Sequence, residues 1–427
     1  MTMEHNSIGD QIYELAKQLY PICRSITGNG VRQTLEIISK HIPLEVHEVP
    51  TGMKVLDWII PKEWNIVDAW IKDPNGRKII DFQNHNLHVL NYSIPLRQKM
   101  ELEVLQGHLY SIPEQPDVIP YRTSYYKEQW GFCLSHRQRE SLIAGEYEVC
   151  IESTLEPGSL TYAEYLVRGQ TDKEFLFTTH ICHPSLANDN VSGMAVLANL
   201  ANHLDNSETY YSYRFLFIPG TIGSITWLDQ NQNILNNIKG GIVVAGVGDD
   251  GHFHYKCSRR GTSAIDRICN SQIANHSGQL LPFSPYGYDE RQFCSPGFNL
   301  AIGNISKSVW GTYPEYHTSS DNLDFISAKG LAGSLQLLID IIKELDSCRF
   351  YINSCSRGEP QLGRRGLYSA IGGKADVKSL QMAMLWALNL SDGDHDLKAM
   401  EERSGVSQGT LEAAIELLCK SDLLTVE

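Results

Sequence analysis

Histidine and acidic side chains that could bind a metal ion follow a predicted strand. The apolar residues 175–179 predict a short buried strand that delivers His180 to the edge of a sheet. Asp189 follows in a turn that leads into the apolar run 194–200. In open α/β sheets, ligand sites lie at this carboxyl edge. Because neutral imidazole and carboxylate groups are both zinc ligands, the pair indicates a candidate zinc site.

A third histidine occurs much later in the chain. His317 stands in a polar turn ahead of a predicted helix and is followed by Asp321. A catalytic zinc ion requires three protein ligands and an open position for water or substrate. His180, Asp189 and His317 are therefore predicted to hold one zinc ion. The alternative interpretation is that the histidines are ordinary loop residues and that Asp189 caps a helix, as aspartate often does.

The order of these segments resembles that of the zinc-dependent aminopeptidase superfamily, which includes bacterial leucyl aminopeptidases and is related to glutaminyl cyclases. The resemblance rests on the strand ending in histidine, a DNxSG turn, an apolar strand with a Gly-rich turn at residues 213–223, an acidic turn before Phe293, and a late YHTSSD. In more detail, the chain is similar to a bacterial family of aminopeptidase-like proteins linked to polysaccharide biosynthesis. Members of that family carry an inserted domain near the amino terminus and a carboxyl-terminal winged helix.

The resemblance implies a fold and a division into domains. The expected fold class is α/β, with a mostly parallel twisted sheet covered by helices on both faces. The catalytic domain is predicted over residues 1–54 and 160–350, a small inserted β-rich domain over 55–159, and a winged helix-turn-helix-like domain over 357–427. By the same resemblance, His180 and His317 correspond to the first and last histidine ligands, and Asp189 to a carboxylate that bridges two metal ions.

Several residues depart from the aminopeptidase pattern. Cys182 stands where those peptidases have an aspartate that orients the imidazole, and His183 either supports His180 or replaces it as the ligand. The two glutamates that follow the strand 214–218 in the peptidases, one a general base and one a ligand, are absent, since Gly220 and Thr221 occupy this turn. We therefore expect one zinc ion rather than two.

Losing the general base should slow hydrolysis, because such a group typically contributes about a hundredfold to ten-thousandfold in rate. Glu290, Tyr316 and His183 are the predicted catalytic residues that could compensate. The predicted function is a single-zinc, aminopeptidase-like hydrolase of an amide or peptide bond, with a sugar- or amino-acid-derived substrate as the expected class. The alternative is a catalytically degenerate scaffold that binds a metal or ligand without turnover.

Composition restricts the class of protein. The chain has 427 residues, of which 42% are hydrophobic and 20% charged, as in soluble proteins of two or three domains. The 10 cysteines are scattered without a metal-type spacing and are expected to be reduced thiols. The chain contains no run of about eighteen apolar residues and starts with a polar segment, so a cytoplasmic location without membrane contact is predicted.

Local patterns predict most elements between these motifs. Asp73-Pro74-Asn75-Gly76 predicts a hairpin turn in the inserted domain. Helices are predicted over residues 194–204, 224–238, 263–275 and 328–345. The aromatic segment 119–133 is interpreted either as the core of the inserted domain or, with Arg122 and His88, as one wall of a substrate cleft.

The carboxyl-terminal segment has the pattern of a helix-turn-helix motif, with helices over residues 396–402 and 410–419. Residues 379–427 carry three basic and nine acidic side chains, and the whole chain has a net charge of −14. Because phosphate would repel such a surface, no nucleic-acid partner is predicted. We instead expect protein contacts, including a homo-oligomer formed through this domain, and a small-molecule or short peptide substrate.

Overall fold

The computed structural model describes the backbone of residues 2–367 and 375–427 and the side chains of residues 8–367 and 378–427. Residues 368–374 of the predicted third domain lie outside the described residues. The helices are α1 Thr2–Leu19, α2 Asn29–Ser39, α3 Leu102–Leu105, α4 His136–Glu140, α5 Ser192–Asp205, α6 Ile222–Gln230, α7 Ala264–Asn275, α8 Glu290–Phe293, α9 Ala328–Ser347, α10 Ala375–Leu390, α11 Leu397–Ser404 and α12 Gln408–Lys420.

The strands belong to one large sheet and several small ones. They are β1 Glu45–Pro50, β2 Lys54–Val55, β3 Trp58–Ile59, β4 Glu63–Lys72, β5 Lys78–Asp81, β6 Leu96–Glu101, β7 Leu109–Tyr110, β8 Phe132–Cys133, β9 Glu146–Glu156, β10 Ser159–Val167, β11 Glu174–His180, β12 Ser212–Ile218, β13 Ile238–Val244, β14 His254–Lys256, β15 Gln279–Leu281, β16 Ile302–Ser306, β17 Phe350–Asn353, β18 Asp392–Asp396 and β19 Leu424–Val426.

The large sheet has eight strands in the order β1-β10-β12-β11-β13-β16-β14-β15. Its four central strands, β12, β11, β13 and β16, are mutually parallel, whereas β1, β10 and β14 pair antiparallel with their neighbours β10, β12 and β16. Every residue of β11 and β12 is buried, as expected for strands covered on both faces. The carboxyl ends of the four central strands therefore meet at one edge.

Each face of this sheet packs against a different set of elements. One face contributes to a core with residues of α1, α2, α5, α7 and α9. The other face contributes Leu176, Leu216 and Ile302 to a second core, which also holds residues of α6, of α8 and of the inserted strands. The structure confirms the predicted fold class, a mainly parallel α/β sheet with helices on both faces.

The inserted strands form a sheet of their own in the order β5-β4-β9-β6. Its β4–β5 hairpin turns at the predicted tetrapeptide, where Gly76 takes a φ of 80°. Strand β9 leads directly into β10 of the large sheet across Pro157-Gly158. Tyr147 of β9 and Leu176 of the large sheet belong to the same hydrophobic core, so the inserted strands and the large sheet share that core.

The carboxyl-terminal part combines helices α10, α11 and α12 with the small sheet β18-β17-β19. The predicted helix-turn-helix corresponds to α11 and α12. Ion pairs attach this part to the large sheet, since Glu427 contacts Lys239 at 2.7 Å and Lys173 at 2.9 Å. Among the described residues, no helix combines the length and apolar character needed to cross a bilayer.

The predicted helix over residues 224–238 is wrong at its end. Helix α6 stops at Gln230, and Ile238 already pairs with Glu174 in the large sheet. The Asn231 side chain donates a hydrogen bond of 2.9 Å to the backbone oxygen of Trp227. This side chain competes for a helical carbonyl group, which is why asparagine favours helix ends.

Candidate metal centre

The strand β11 ends at His180, as predicted, and positions that side chain at the carboxyl edge of the parallel strands. The chain then loops back to Asp189, which lies in the irregular segment 187–191 directly before α5. The backbone N–H of Ile181 donates to Ile218 O at 2.9 Å, which fixes the loop to the neighbouring strand. His317 reaches the same place from the loop before α9 with a φ of 56°.

Asp189 brings two histidines together. His180 Nε2 lies 2.9 Å from Asp189 Oδ1, and His317 Nε2 lies 3.1 Å from Asp189 Oδ2. All four atoms are buried, yet none makes an aligned hydrogen bond with another described residue. Buried polar atoms in proteins nearly always make hydrogen bonds, so four buried atoms without one are candidates to bind a further partner such as a metal ion.

His183 also joins this group, which we call the sheet-end cluster: His180, His183, Asp189 and His317. Ligand atoms of His180, His183 and Asp189 lie within 4.8 Å of one another. The His183 ring centroid is 5.2 Å from that of His317 and 4.7 Å from that of His180. The mutually close set thus includes the alternative ligand His183 together with His180 and Asp189. His317 lies outside that set and joins the cluster through its contact with Asp189 Oδ2.

The surroundings of the cluster favour the protonation states in which histidine and aspartate bind metal ions. Burial lowers the pKa of His183 well below its usual value, which keeps the imidazole neutral. Burial alone would raise the pKa of Asp189, but the surrounding histidines hold that pKa well below its usual range. A neutral imidazole and an ionised carboxylate are the protonation states that coordinate metal ions.

Backbone hydrogen bonds hold Asp189 in place. The Asp321 carboxylate accepts from the N–H groups of Asn188 at 2.6 Å and Asp189 at 2.9 Å. Asn188 Nδ2 donates to Asp249 Oδ2 at 2.8 Å, which ties this segment to the loop after β13. Burial raises the pKa of Asp321 to about 8. Asp321 and Asp249 thus both hold the loop that carries Asp189.

The turn that lacks the two glutamates lies against the cluster. Gly220 N–H donates to Cys182 Sγ at 3.2 Å, and Thr221 N–H donates to Asp289 at 2.6 Å. A Cβ atom at Gly220 would lie 3.4 Å from Cys182 Sγ and 3.7 Å from His180 Cβ, which is ordinary contact distance. A side chain at position 220 would therefore adjoin the cluster, and the glycine leaves this space free.

Tyrosine rings wall the cluster. Tyr288 stacks on His180 at 5.3 Å, and Tyr316 stacks on His317 at 3.9 Å. Tyr121, from the inserted segment, meets the rings of His183 and His317 edge-on at 5.1 Å each. This contact favours the cleft-wall interpretation for Tyr121. Phe132 and Trp130 of the same segment pack in the core instead, and His88 is buried against Cys133 O.

Of the three residues predicted to be catalytic, two adjoin the sheet-end cluster and the third forms an ion pair with a lysine. His183 belongs to the cluster and Tyr316 stacks against it, so both adjoin the candidate metal site. Glu290 lies at the start of α8, where its Oε1 pairs with Lys256 at 2.7 Å and its Oε2 is buried without a partner. Burial raises the pKa of Glu290 despite that lysine.

A second group of metal-type side chains was not predicted. Glu45 and His47 of β1 face Glu164 of β10, and their ligand atoms lie within 4.8 Å of one another. We call these three residues the edge cluster. Strand pairing brings them together, since Glu45 and Glu164 are direct partners in the antiparallel register. Only knowledge of that register could have revealed the group from the sequence.

The sheet-end cluster fits a metal ion. Zinc binds nitrogen and oxygen ligands at about 2.0–2.2 Å with tetrahedral geometry, which separates adjacent ligand atoms by roughly 3.3 Å. The distances from His180 to Asp189 Oδ1, 2.9 Å, and from His317 to Asp189 Oδ2, 3.1 Å, are each close to that spacing. The side chain of His317 is 34% exposed, whereas that of Asp189 is fully buried, so the cluster opens on the His317 side.

Comparisons with known proteins agree with this fold. Residues 13–348 match a family described as a domain of unknown function, DUF4910, and residues 349–426 match a winged helix-turn-helix family. A Clostridium acetobutylicum protein is 48% identical over 419 residues, which is 97% of this chain and 96% of that protein. It is provisionally named as a polysaccharide biosynthesis protein with an aminopeptidase-like domain.

Solved structures extend the comparison. A crystal structure from C. acetobutylicum, provisionally described as a peptidase, has a TM-score of 0.81 at 45% identity and covers 100% of this chain and 98% of that one. A zinc aminopeptidase from Bacillus subtilis shares the fold, with a TM-score of 0.57 at 14% identity over 79% of this chain and 95% of that one. The chain therefore belongs to the bacterial aminopeptidase-like family described as DUF4910, and it carries a carboxyl-terminal winged helix.

Proposed function

We propose that this protein is a single-zinc hydrolase of an amide or peptide bond, with the zinc held by His180, Asp189 and His317. The observation that carries the proposal is the set of four buried ligand atoms on these three residues, none of which makes an aligned hydrogen bond. His183 is the alternative ligand to His317, because its ring nitrogen lies within 4.8 Å of ligand atoms of His180 and Asp189. The proposal concerns one ion, since the turn at Gly220 offers no second carboxylate.

When bound, zinc would supply Lewis-acid polarisation of the substrate carbonyl and a lowered pKa for an attacking water. The remaining steps fall to the side chains. If His183 is not a ligand, its neutral imidazole is placed to accept a proton. Glu290 would act through Oε2, since Lys256 engages Oε1. The Tyr316 ring lies over His317, on the open side from which a substrate would enter.

The expected substrate is a sugar- or amino-acid-derived amide. Support for this class comes from the name of the C. acetobutylicum relative, which refers to polysaccharide biosynthesis. The aromatic wall formed by Tyr121, Tyr288 and Tyr316 suits a ligand with apolar faces as well as polar groups.

The test is amine release from a panel of aminoacyl amides and N-acyl amino sugars. We expect release by zinc-loaded protein, loss of release after chelation, and recovery when zinc is restored. Asp189→Ala should abolish release, whereas His252→Ala, which removes an exposed histidine outside the cluster, should leave it unchanged. Equal release by wild type and Asp189→Ala would refute the proposal.

A second candidate function is a metal-binding scaffold without turnover. It is favoured by one observation, the glycine at position 220 beside His180, where the resemblance leads us to expect a glutamate. The same assay separates the two functions. Zinc bound in a 1:1 ratio with no metal-dependent release from any substrate in the panel would support the scaffold.

For the winged helix we propose protein contact, including self-association, rather than DNA binding. Glu412 and Glu416 are exposed on α12, the helix that would face DNA in a helix-turn-helix protein. Their charge would repel phosphate. Sedimentation should therefore reveal self-association that removing residues 349–427 abolishes, and retarded DNA mobility at physiological salt would contradict this role.

A further inference from the structure

A large uncharged cleft lies between the amino-terminal helix pair and the inserted sheet. It has a volume of about 670 Å³, within the range of small-molecule sites. Its lining includes seven asparagine or glutamine side chains and no aspartate, glutamate, lysine or arginine. We call it the amide cleft. This composition is unusual in a chain in which 20% of residues are charged.

The absence of charge from the lining restricts the ligand. A charged ligand in such a cleft would lose hydration without gaining an ion pair, which is costly. His85 does not alter this conclusion, because burial lowers its pKa to about 4 and keeps the ring neutral at physiological pH. The lining therefore suits a ligand without a formal charge.

Free hydrogen-bonding groups in the cleft indicate a polar ligand. Gln18, Gln33 and Asn84 are exposed, and their carboxamides make no hydrogen bond with any other described residue. Asn86 is nine-tenths buried and donates to Ser185 Oγ at 2.7 Å, yet its Oδ1 has no partner. Each carboxamide offers two donors and an acceptor, the combination that pairs with neighbouring hydroxyl groups.

The amide cleft also offers apolar surface to a ligand. Tyr20 and Phe82 are half-buried, and Val67 is 72% exposed. These groups offer apolar surface to the C–H faces of a sugar ring. A planar nucleobase presents its polar atoms only at its edges and would leave several of the carboxamides unpaired.

We propose that the amide cleft binds an uncharged carbohydrate. The site differs from the metal centre, because none of its lining residues belongs to the sheet-end cluster. The two are nevertheless neighbours in the chain, since Ser185 lines the cleft two residues after His183. Carbohydrate binding should therefore persist in protein stripped of metal, which makes this proposal independent of the hydrolase proposal.

The test is binding of the full-length, chelator-treated protein to an array of oligosaccharides. The array contains neutral glucose, galactose, mannose and N-acetylhexosamine oligomers together with sialylated and sulfated ones. The tightest neutral probe is then titrated by calorimetry, with nucleosides and uncharged tripeptides as competitors. We expect a neutral oligosaccharide to bind with a Kd below about 1 mM and no competitor to bind more tightly.

Paired variants locate the site. Gln33→Ala with Asn84→Ala removes two free carboxamides and should weaken binding about tenfold. Gln232→Ala with Asn233→Ala removes two exposed carboxamides outside the cleft and should leave the Kd unchanged. Both double variants change only exposed side chains, so both should fold. Binding of no neutral oligosaccharide, tighter binding of an anionic one or of a competitor, or equal Kd values for the two double variants would overturn the proposal.

Discussion

Two groups of histidine and carboxylate side chains in this protein have metal-type spacing, but their surroundings differ. In the sheet-end cluster, both oxygens of Asp189 are fully buried and face His180 and His317 without an aligned hydrogen bond. In the edge cluster, Glu164 is already neutralised: its Oε2 accepts from Arg214 at 2.9 Å and from Trp227 Nε1 at 2.9 Å. Glu45 is 75% exposed at its side chain, where water can hydrate it.

The difference shows that ligand spacing alone does not define a metal site. Arg214 forms a two-pronged ion pair with Glu174 at 2.6 and 2.9 Å in addition to its contact with Glu164. The carboxylate of the edge cluster therefore serves a buried structural network. Among the described side chains, no arginine or lysine pairs with Asp189, so its negative charge remains available to a cation.

The largest expected effect is on zinc content. A triple variant should contain almost no zinc, compared with about one ion per chain in the wild type, because three ligands are lost. The variant carries His180→Ala, Asp189→Ala and His317→Ala. Glu45→Ala with His47→Ala should leave the zinc content unchanged. Elemental analysis of the purified proteins measures both, and the opposite pattern would assign the metal to the edge cluster.

The next effect tests the structural role of the edge cluster. Arg214→Met should lower the free energy of unfolding by about 3 kcal/mol, because Glu164 and Glu174 are left buried without their partner. Denaturant unfolding at neutral pH measures this loss. Zinc content of the folded variant should match that of the wild type, and a fall in zinc would contradict the division of roles.

A smaller effect is expected from installing a base beside the sheet-end cluster. Gly220→Glu should raise the rate of metal-dependent amide hydrolysis about tenfold, below the effect of an evolved general base, because the new carboxylate adjoins His180. Gly220→Gln is the matched uncharged control. Equal kcat/KM values for the two variants would show that position 220 does not reach the reacting atoms.

The smallest effect concerns a carboxylate that is engaged by arginine but partly exposed. The hydrogen bonds from Arg32 lower the pKa of Glu63 to about 2. Ionised Glu63 therefore stabilises the fold above about pH 4.5, and this stabilisation is lost as the pH falls towards 2. Glu63→Gln should cost about 1 kcal/mol at pH 7, since solvent screens the pair, and almost nothing near pH 2. A cost independent of pH would contradict this.

Local sequence patterns were sufficient to predict one half of the sheet-end cluster. The all-apolar run before His180 predicted a buried strand, and the polar turn with Asp189 predicted a helix start, because both signals are confined to about twenty neighbouring residues. Both were confirmed. His317 could be added only through the resemblance and the polar turn around it, since nothing local specifies which loops converge.

Contacts that depend on distant pairing were not predictable. Tyr288 covers His180 only because a loop folds back over the sheet edge. The sequence offered a cleft wall for the segment that holds Tyr121 as one of two alternatives, but it could not specify the contact with His317. The edge cluster likewise depends on the register of two antiparallel strands. The wrong end of the helix over 224–238 has a local cause, because the asparagine-rich residues 231–237 contain no glycine or proline to indicate a stop.

The central claim is that the free carboxylate of the sheet-end cluster, and not the engaged one of the edge cluster, holds a metal ion. Anomalous scattering from zinc-soaked crystals tests it most directly. We predict one strong peak within bonding distance of Asp189, His180 and either His317 or His183. A peak between Glu45, His47 and Glu164, or no peak at Asp189, would contradict the claim.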